Sequence, residues 1–409
     1  MQEKNISTFN LEQCLKCGIC VDVCPMLEVN PAYKGPKQSG PDGERYRLKA
    51  PVFYDEALKY CLNCKRCEVA CPSGVQVGDI IQAAKLKYGK REHVLRNNML
   101  GGTDFVGPLA SAFAPIVNPI IHTKAAAAAM DCVLKIDHRR VFPSYSSEKF
   151  ESWFRKHAQA SQASYKRQVS YFHGCYVNYN YPQLGKDLVK VLNAVGIGVN
   201  LLEKEKCCGI ALISGGNVKA ATKKAVNNIA SIRAAGMPVV TTSSTCTFTM
   251  RDEYPHLLGL DNADIRDSIA LATRYLWNLY EAGEIRFAFR QDYRKKAVYH
   301  TACHMQKLGW GIYSTSLLGL IPGLDMKILR DNCCGISGTY GFKKENYEYS
   351  QQVGSKLFDR IAMADPEVVV TDCETCKWQI EMSTGYPVQN PISILADALD
   401  VEKTKEING

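Results

Sequence analysis

Two short stretches of the chain share one cysteine spacing, and that spacing restricts its folding more than anything else in the sequence. Cys14, Cys17, Cys20 and Cys24, followed by Pro25, read C-x2-C-x2-C-x3-C-P; Cys61, Cys64, Cys67 and Cys71, followed by Pro72, repeat it. Three thiols at two-residue intervals fit a tight loop wrapped around one face of an iron–sulfur cubane, and the fourth sits on a short helix and reaches the other cluster. On that crossed scheme Cys14, Cys17, Cys20 and Cys71 hold one [4Fe–4S] cluster, and Cys61, Cys64, Cys67 and Cys24 the other. Each proline ends its loop by fixing φ and removing a backbone donor. A single tetrahedral zinc needs only four ligands, so eight cysteines in two copies exceed it. Disulfides are disfavoured too. The opening ten residues are polar, with no secretory apolar core, which points to a reducing compartment where clustered cysteines are metal ligands.

Between the two runs, residues 30–60 are rich in Pro, Gly and charge and predict a loop, then a helix from about Tyr54 into Cys61. A further helix is expected over Val77 to Tyr88. This N-terminal unit, residues 1–100, is predicted to be helical and ferredoxin-like.

From about residue 165 an internal repeat of about 125–130 residues appears. Each copy has three cysteine stations: Cys175 and Cys303; Cys207-Cys208-Gly209 and Cys333-Cys334-Gly335; Cys246 and Cys376. Each station follows a short β-branched run and precedes a helical pattern, as in Pro182 to Val195 and Lys377 to Thr384. Strand–ligand–helix, repeated, implies an α/β fold with ligands gathered at strand ends. There the positive end of the next helix favours a thiolate. The copies differ, because Ser243 stands where the second copy has Cys373. The second copy thus offers Cys303, Cys333, Cys334, Cys373 and Cys376, and the first only Cys175, Cys207, Cys208 and Cys246. The second site is expected to hold the fuller, unusual cluster and the first an altered one or none. Lone Cys132 reads as a small buried hydrophobe. His173, His300 and His304 flank the first stations, either as satisfied structural residues or as partners of cluster sulfurs.

The net charge of +9 is spread along the chain. There is no basic stripe with interleaved aromatics, so nucleic acid is excluded as a partner. No run of about 20 apolar residues exists to span a bilayer. The nearest, Phe105 to Ile121, contains Pro108, Pro115 and Pro119, and is followed by Cys132 and the basic group Lys135, His138, Arg139 and Arg140. Residues 101–164 therefore read either as an interfacial membrane or partner contact or as a buried linker. No Walker A run is present, and Gly196-Ile-Gly198 precedes rather than follows a strand, so a nucleotide or flavin site is not evident.

The order of two ferredoxin runs and two C…CCG…C domains resembles the heterodisulfide-reductase-like, CCG-domain iron–sulfur subunits. Within that family, GPKQSGPDGER, YDEALKYCLNCKRCEVACPS, FHGCYVNYNYPQLGKDL, TSSTCTFTMRDEYP, CCGISGTYGFKKENY and TDCETCKWQIEMST are similar to the iron–sulfur subunits of anaerobic glycerol-3-phosphate dehydrogenases. Cys246 without a cysteine at position 243 belongs to that resemblance. It implies an α+β protein, with residues 165–290 and 291–409 as the two CCG repeats. It also implies two ferredoxin-type [4Fe–4S] clusters and one or two further iron–sulfur clusters in the repeats. The expected role is electron transfer in glycerol metabolism and anaerobic respiration. Separate flavoprotein subunits would oxidise sn-glycerol 3-phosphate, and this chain would pass electrons to menaquinone, peripherally at the cytoplasmic face of the inner membrane. Two other roles fit the same motifs: a thiol–disulfide oxidoreductase and a membrane-anchoring scaffold.

Overall fold

The computed structural model describes residues 9–329 and 332–409; the polar opening, residues 1–8, lies outside them. In the N-terminal unit the two cysteine loops turn alike. Lys16 and Gly18 in the first loop, and Asn63 and Lys65 in the second, all have positive φ. A positive φ costs glycine nothing, whereas Lys65 must be held in it. The buried Lys65 ammonium is held by the Asp79 and Glu68 carboxylates. The helix Val77–Tyr88 forms as expected. It buries Val77, Ile80, Ile81 and Ala84, at spacings 0, 3, 4 and 7, against Phe9, Leu11, Leu58 and Val75.

The stretch between the cysteine runs is more ordered than expected. Residues 35–47 are helical, interrupted at Gly40 beside Pro41. The prolines that suggested a loop sit in its first turn and at that break. Before Cys61 there are only the 3-10 turns Pro51–Phe53 and Glu56–Tyr60, not one α-helix.

The apolar stretch folds as two helices, Thr103–Ala112 and Ala114–Ile121, bent by 107°. The break at Phe113 falls two residues before Pro115, and among the described residues no single helix is long and apolar enough to cross a membrane. Cys132, expected to be buried, is exposed. Of the basic group that follows, Arg140 is buried, whereas Lys135, His138 and Arg139 are exposed; Arg139 holds Asp137 through two side-chain hydrogen bonds.

Each repeat is built on a four-stranded, wholly parallel sheet. The first has the order β2-β1-β3-β4, with β1 Arg167–Phe172, β2 Ile197–Leu201, β3 Val239–Thr241 and β4 Ile269–Leu271. The second repeats it as β6-β5-β7-β8, with β5 Lys295–His300, β6 Leu324–Leu329, β7 Val368–Val370 and β8 Val388–Gln389. The inner strands β3 and β7 are short apolar runs, Val239-Val240-Thr241 and Val368-Val369-Val370, all buried, as in parallel sheets covered on both faces. One core joins the two copies, running from Phe150, Val169 and Leu188 to Tyr299, Leu317 and Ile394. The strand ends meet across the junction. Ser244 N–H donates to Asp372 O, and Asn390 Nδ2 donates to Thr242 O.

Candidate metal centre

The crossed arrangement of the N-terminal cysteines is visible in the packing. Burial, and then the neighbouring Cys14, Cys17 and Cys71, push the Cys20 thiol up to about 11. Burial and then Cys64 push Cys24 up to about 12, with Cys61 adding to it. Cys67 is raised by burial, by Glu68, and then by Cys64, Cys61 and Cys24. The fourth cysteine of each run thus lies with the first three of the other. A small cavity is lined by Cys24, Cys61, Cys64 and Cys67 together with Pro25, Met26, Tyr33 and Ile81. Asn63, Lys65 and Arg66 also line it, and four thiols around one hollow form the cradle that a cubane requires.

In both repeats the stations follow three adjacent strands at their C-terminal ends, where open parallel sheets bind ligands. Cys303, Cys333/Cys334 and Cys373/Cys376 follow β5, β6 and β7. Cys303 Sγ lies 3.5 Å from Cys333 Sγ, and Cys334 Sγ lies 3.3 Å from Cys376 Sγ. Gly335 has φ +83°, and a Cβ there would collide with Ser350 O, so only glycine lets the Cys-Cys turn lie on the helix Tyr347–Ala364. Cys373 caps the helix Glu374–Thr384, its sulfur accepting from Cys376 N–H at 3.5 Å. All five thiols therefore converge. Next to them lies Cys64, packed in one cluster with Cys303 and Cys333, its thiol facing Cys303. The second ferredoxin cradle and the second repeat's site are contiguous, and sequence alone did not reveal that contact.

The first repeat brings Cys175, Cys207, Cys208 and Cys246 together in the same way. Ser243 takes the Cys373 role as helix cap, its Oγ accepting from Cys246 N–H at 3.2 Å. It also donates to Glu374 of the second repeat at 2.8 Å. Burial holds the Glu374 carboxyl up at about 8, with Cys373 adding to it. Where the second site meets Cys64, the first meets the linker. The Thr103 hydroxyl lies beside Cys175 and Cys207, and Asp104 accepts from Cys207 N–H at 3.0 Å. Asp104 also pairs with Lys224 at 2.9 Å.

Burial lowers His300 and His304 to about 4 and lowers His173 as well, so all three are neutral near pH 7. His173 bonds to Gly174 O, and His304 stacks on Phe248. His300 is different. Its Nε2 has no hydrogen-bond partner, and a ring nitrogen lies within 4.8 Å of the Cys334 and Cys376 sulfurs. Residues that the sequence reading missed are Thr103 and Asp104, which come from the linker; their polarity within an apolar stretch was the only signal. Arg140, read there as part of a basic contact group, is instead buried.

A 4Fe-4S dicluster domain model matches residues 10–75, and a cysteine-rich domain model matches residues 169–251 and 297–381. Two [4Fe–4S] clusters and iron–sulfur binding in the repeats agree with these matches and with the thiol groupings. The chain is 27% identical to the glycolate oxidase iron–sulfur subunit of Escherichia coli K12 over 417 residues, 96% of this chain and 95% of that protein. It is 23% identical to a subunit of the dihydromethanophenazine:CoB–CoM heterodisulfide reductase of Methanosarcina barkeri, covering 96% and 95%. Against a subunit of the anaerobic glycerol-3-phosphate dehydrogenase of Escherichia coli K12, identity reaches 56% over 394 residues, 95% of this chain and 99% of that protein. Along nearly its whole length, therefore, the chain belongs to the family of this anaerobic glycerol-3-phosphate dehydrogenase subunit.

Proposed function

We propose that this chain carries electrons from flavoprotein subunits that oxidise sn-glycerol 3-phosphate to a membrane quinone, menaquinone by the family resemblance. The observation that carries the reading is the contiguity of cysteine sets from separate parts of the chain. Cys14, Cys17, Cys20 and Cys71 would hold one cubane, and Cys61, Cys64, Cys67 and Cys24 the other. Cys303, Cys333, Cys334, Cys373 and Cys376 would hold the second repeat's cluster, and Cys175, Cys207, Cys208 and Cys246 the first repeat's. Bound there, iron–sulfur clusters supply one-electron storage. The protein's own part is to converge the thiols at strand ends, wall them off with apolar side chains and keep the neighbouring histidines neutral.

The same reading puts the chain peripherally on the cytoplasmic face of the inner membrane. Phe105, Leu109 and Phe113, then Ile116 and Ile120, are exposed at helical spacing along the bent helix pair. An apolar face on a helix too short to span suits insertion into the headgroup boundary. The test is reconstitution with the flavoprotein subunits and vesicles containing menaquinone. Glycerol 3-phosphate should reduce the quinone, and replacing Phe105, Leu109, Phe113 and Ile116 by Ser should release the complex from the vesicles. Quinone reduction that persists after Cys64→Ser and Cys334→Ser would reject the relay and leave a scaffold. Turnover of a disulfide by the chain without a quinone would favour the thiol–disulfide oxidoreductase.

A further inference from the structure

Five cationic side chains are deeply buried among the described residues: Arg47, Lys65, Arg96, Arg140 and Arg251. Four have a carboxylate in ion-pair contact. Arg47 meets Glu44, Lys65 meets Asp79, Arg96 meets Glu345, and Arg251 meets Asp267. Arg140 alone has none. Its guanidinium donates to Gly341 O, to Gln379 Oε1 and, at 3.0 Å, to Ser350 Oγ. Its faces lie on the Tyr347 and Phe342 rings, with centroids 4.6 and 5.7 Å away. The nearby Asp137 is engaged by Arg139. Every direct partner of Arg140 is neutral, and a buried charge without a counter-charge is expensive.

The position of those neutral partners shows where the missing negative charge belongs. Ser350 lies on the helix against which the Cys334-Gly335 turn is pressed. Gln379 is three residues beyond Cys376, on the helix that Cys373 caps. Arg140 is thus wedged between the two elements that carry Cys334 and Cys376. Burial pulls the guanidinium down to about 10, opposed by Tyr347, then by Asp137 and then by the Cys334 thiol. At the first repeat the cation beside the thiols, Lys224, is already matched by Asp104.

We propose that Arg140 is the counter-charge of the iron–sulfur site in the second repeat, a positioning residue that raises the reduction potential of the group held by Cys334 and Cys376. The inference rests on the ligand assignment proposed above. Metal-bound thiolates are anionic, and reduction adds a further negative charge, which a fixed cation at that site favours. Arg140, the last residue of the basic group, thereby acquires a role inside the molecule.

The experiment is an EPR-monitored redox titration of the full-length chain in its complex, purified without oxygen, comparing the parent with Arg140→Met and Arg140→Lys. Arg140→Met should favour the oxidised form of the second-repeat signal about tenfold at fixed potential, a fall of about 59 mV for one electron, with the ferredoxin signals unmoved. Arg140→Lys should recover most of the shift, because it keeps the charge and loses only the planar fork. A midpoint unchanged in Arg140→Met, or shifted as far in Arg140→Lys, overturns the proposal. Folding provides a second readout. Arg140→Met should leave the iron-free chain at least as stable as the parent and weaken only the iron-loaded one. Equal destabilisation of both would mark Arg140 as a packing residue and overturn the proposal. Cys334→Ser separates this inference from its basis. If the second-repeat signal survives that change, the ligand assignment fails and the proposal with it. If the signal is lost while Arg140→Met leaves the parent midpoint in place, the Arg140 proposal alone fails.

Discussion

The two CCG repeats share a sheet order, a strand-end arrangement of thiols and a Cys-Cys-Gly turn, yet different things close their sites. The second is closed by another redox cradle, through Cys64 beside Cys303. The first is closed by Thr103 and Asp104, at the start of a helix whose outer residues Phe105 and Leu109 are exposed. One duplicated scaffold therefore presents one site to the interior of the protein and the other to the linker surface. What distinguishes the copies is less the fold than the segment laid over each. The fifth thiol adds to this difference. Cys373 caps its helix with sulfur, whereas Ser243 caps the equivalent helix and donates its proton to Glu374.

The largest effect should come from removing a ligand in each copy. Cys334→Ser is expected to cost about four iron atoms per chain and the second-repeat EPR signal, leaving the ferredoxin signals in place. Cys208→Ser should remove the first repeat's iron while sparing the second's. Iron and acid-labile sulfide analysis checks both. Full iron content in Cys208→Ser would break the comparison by showing that the first site carries no cluster.

Giving the first repeat its missing thiol sharpens the same comparison. Ser243→Cys puts a sulfur where Cys373 stands in the second copy, so the first-site EPR signal should come to resemble the second's. The change also weakens the bond to Glu374, since a thiol is a poor donor. We expect a loss of about 1–3 kcal/mol in urea unfolding. An unaltered spectrum with full iron would show that the fifth thiol is not what separates the two sites.

Much of this was legible in residues. The ferredoxin spacing gave the crossed sets, because two-residue intervals permit few other loops. The 126–130-residue offsets gave the duplication, and the Val77–Tyr88 helix followed from its apolar spacing. What stayed hidden depends on particular side-chain contacts, some local and some between segments distant in sequence. Pro36 and Pro41 argued for a loop, yet Arg47, through Glu44 and the Ser39 carbonyl, holds that stretch helical. Arg140 stood in a basic group that suited a membrane or partner contact as well as a buried linker. Nothing local foretells that Gly341, Ser350 and Gln379, some 200 residues away, will enclose it.

The smallest expected effect tests whether the second repeat carries excess buried positive charge beyond Arg140. Lys224 at the first site is raised, because Cys207 and Asp104 outweigh the opposing pull of burial. Lys343, in the loop of the second repeat that bridges to Ile136, goes the other way. Burial, then Arg96 and Lys85, lower it from 10.5 to about 8. A depressed lysine binds fewer protons in the folded chain than in the unfolded one between those two values. Stability therefore rises with pH from about 8 to 10.5, and the penalty is complete below 8. Lys343→Met should raise the urea midpoint at pH 7, by about 1–3 kcal/mol in free energy, and abolish the rise between pH 8 and 10.5. If the variant keeps that rise, the charge it removes is not the one opposed by burial, and the electrostatic contrast between the two repeats then rests on Arg140 alone.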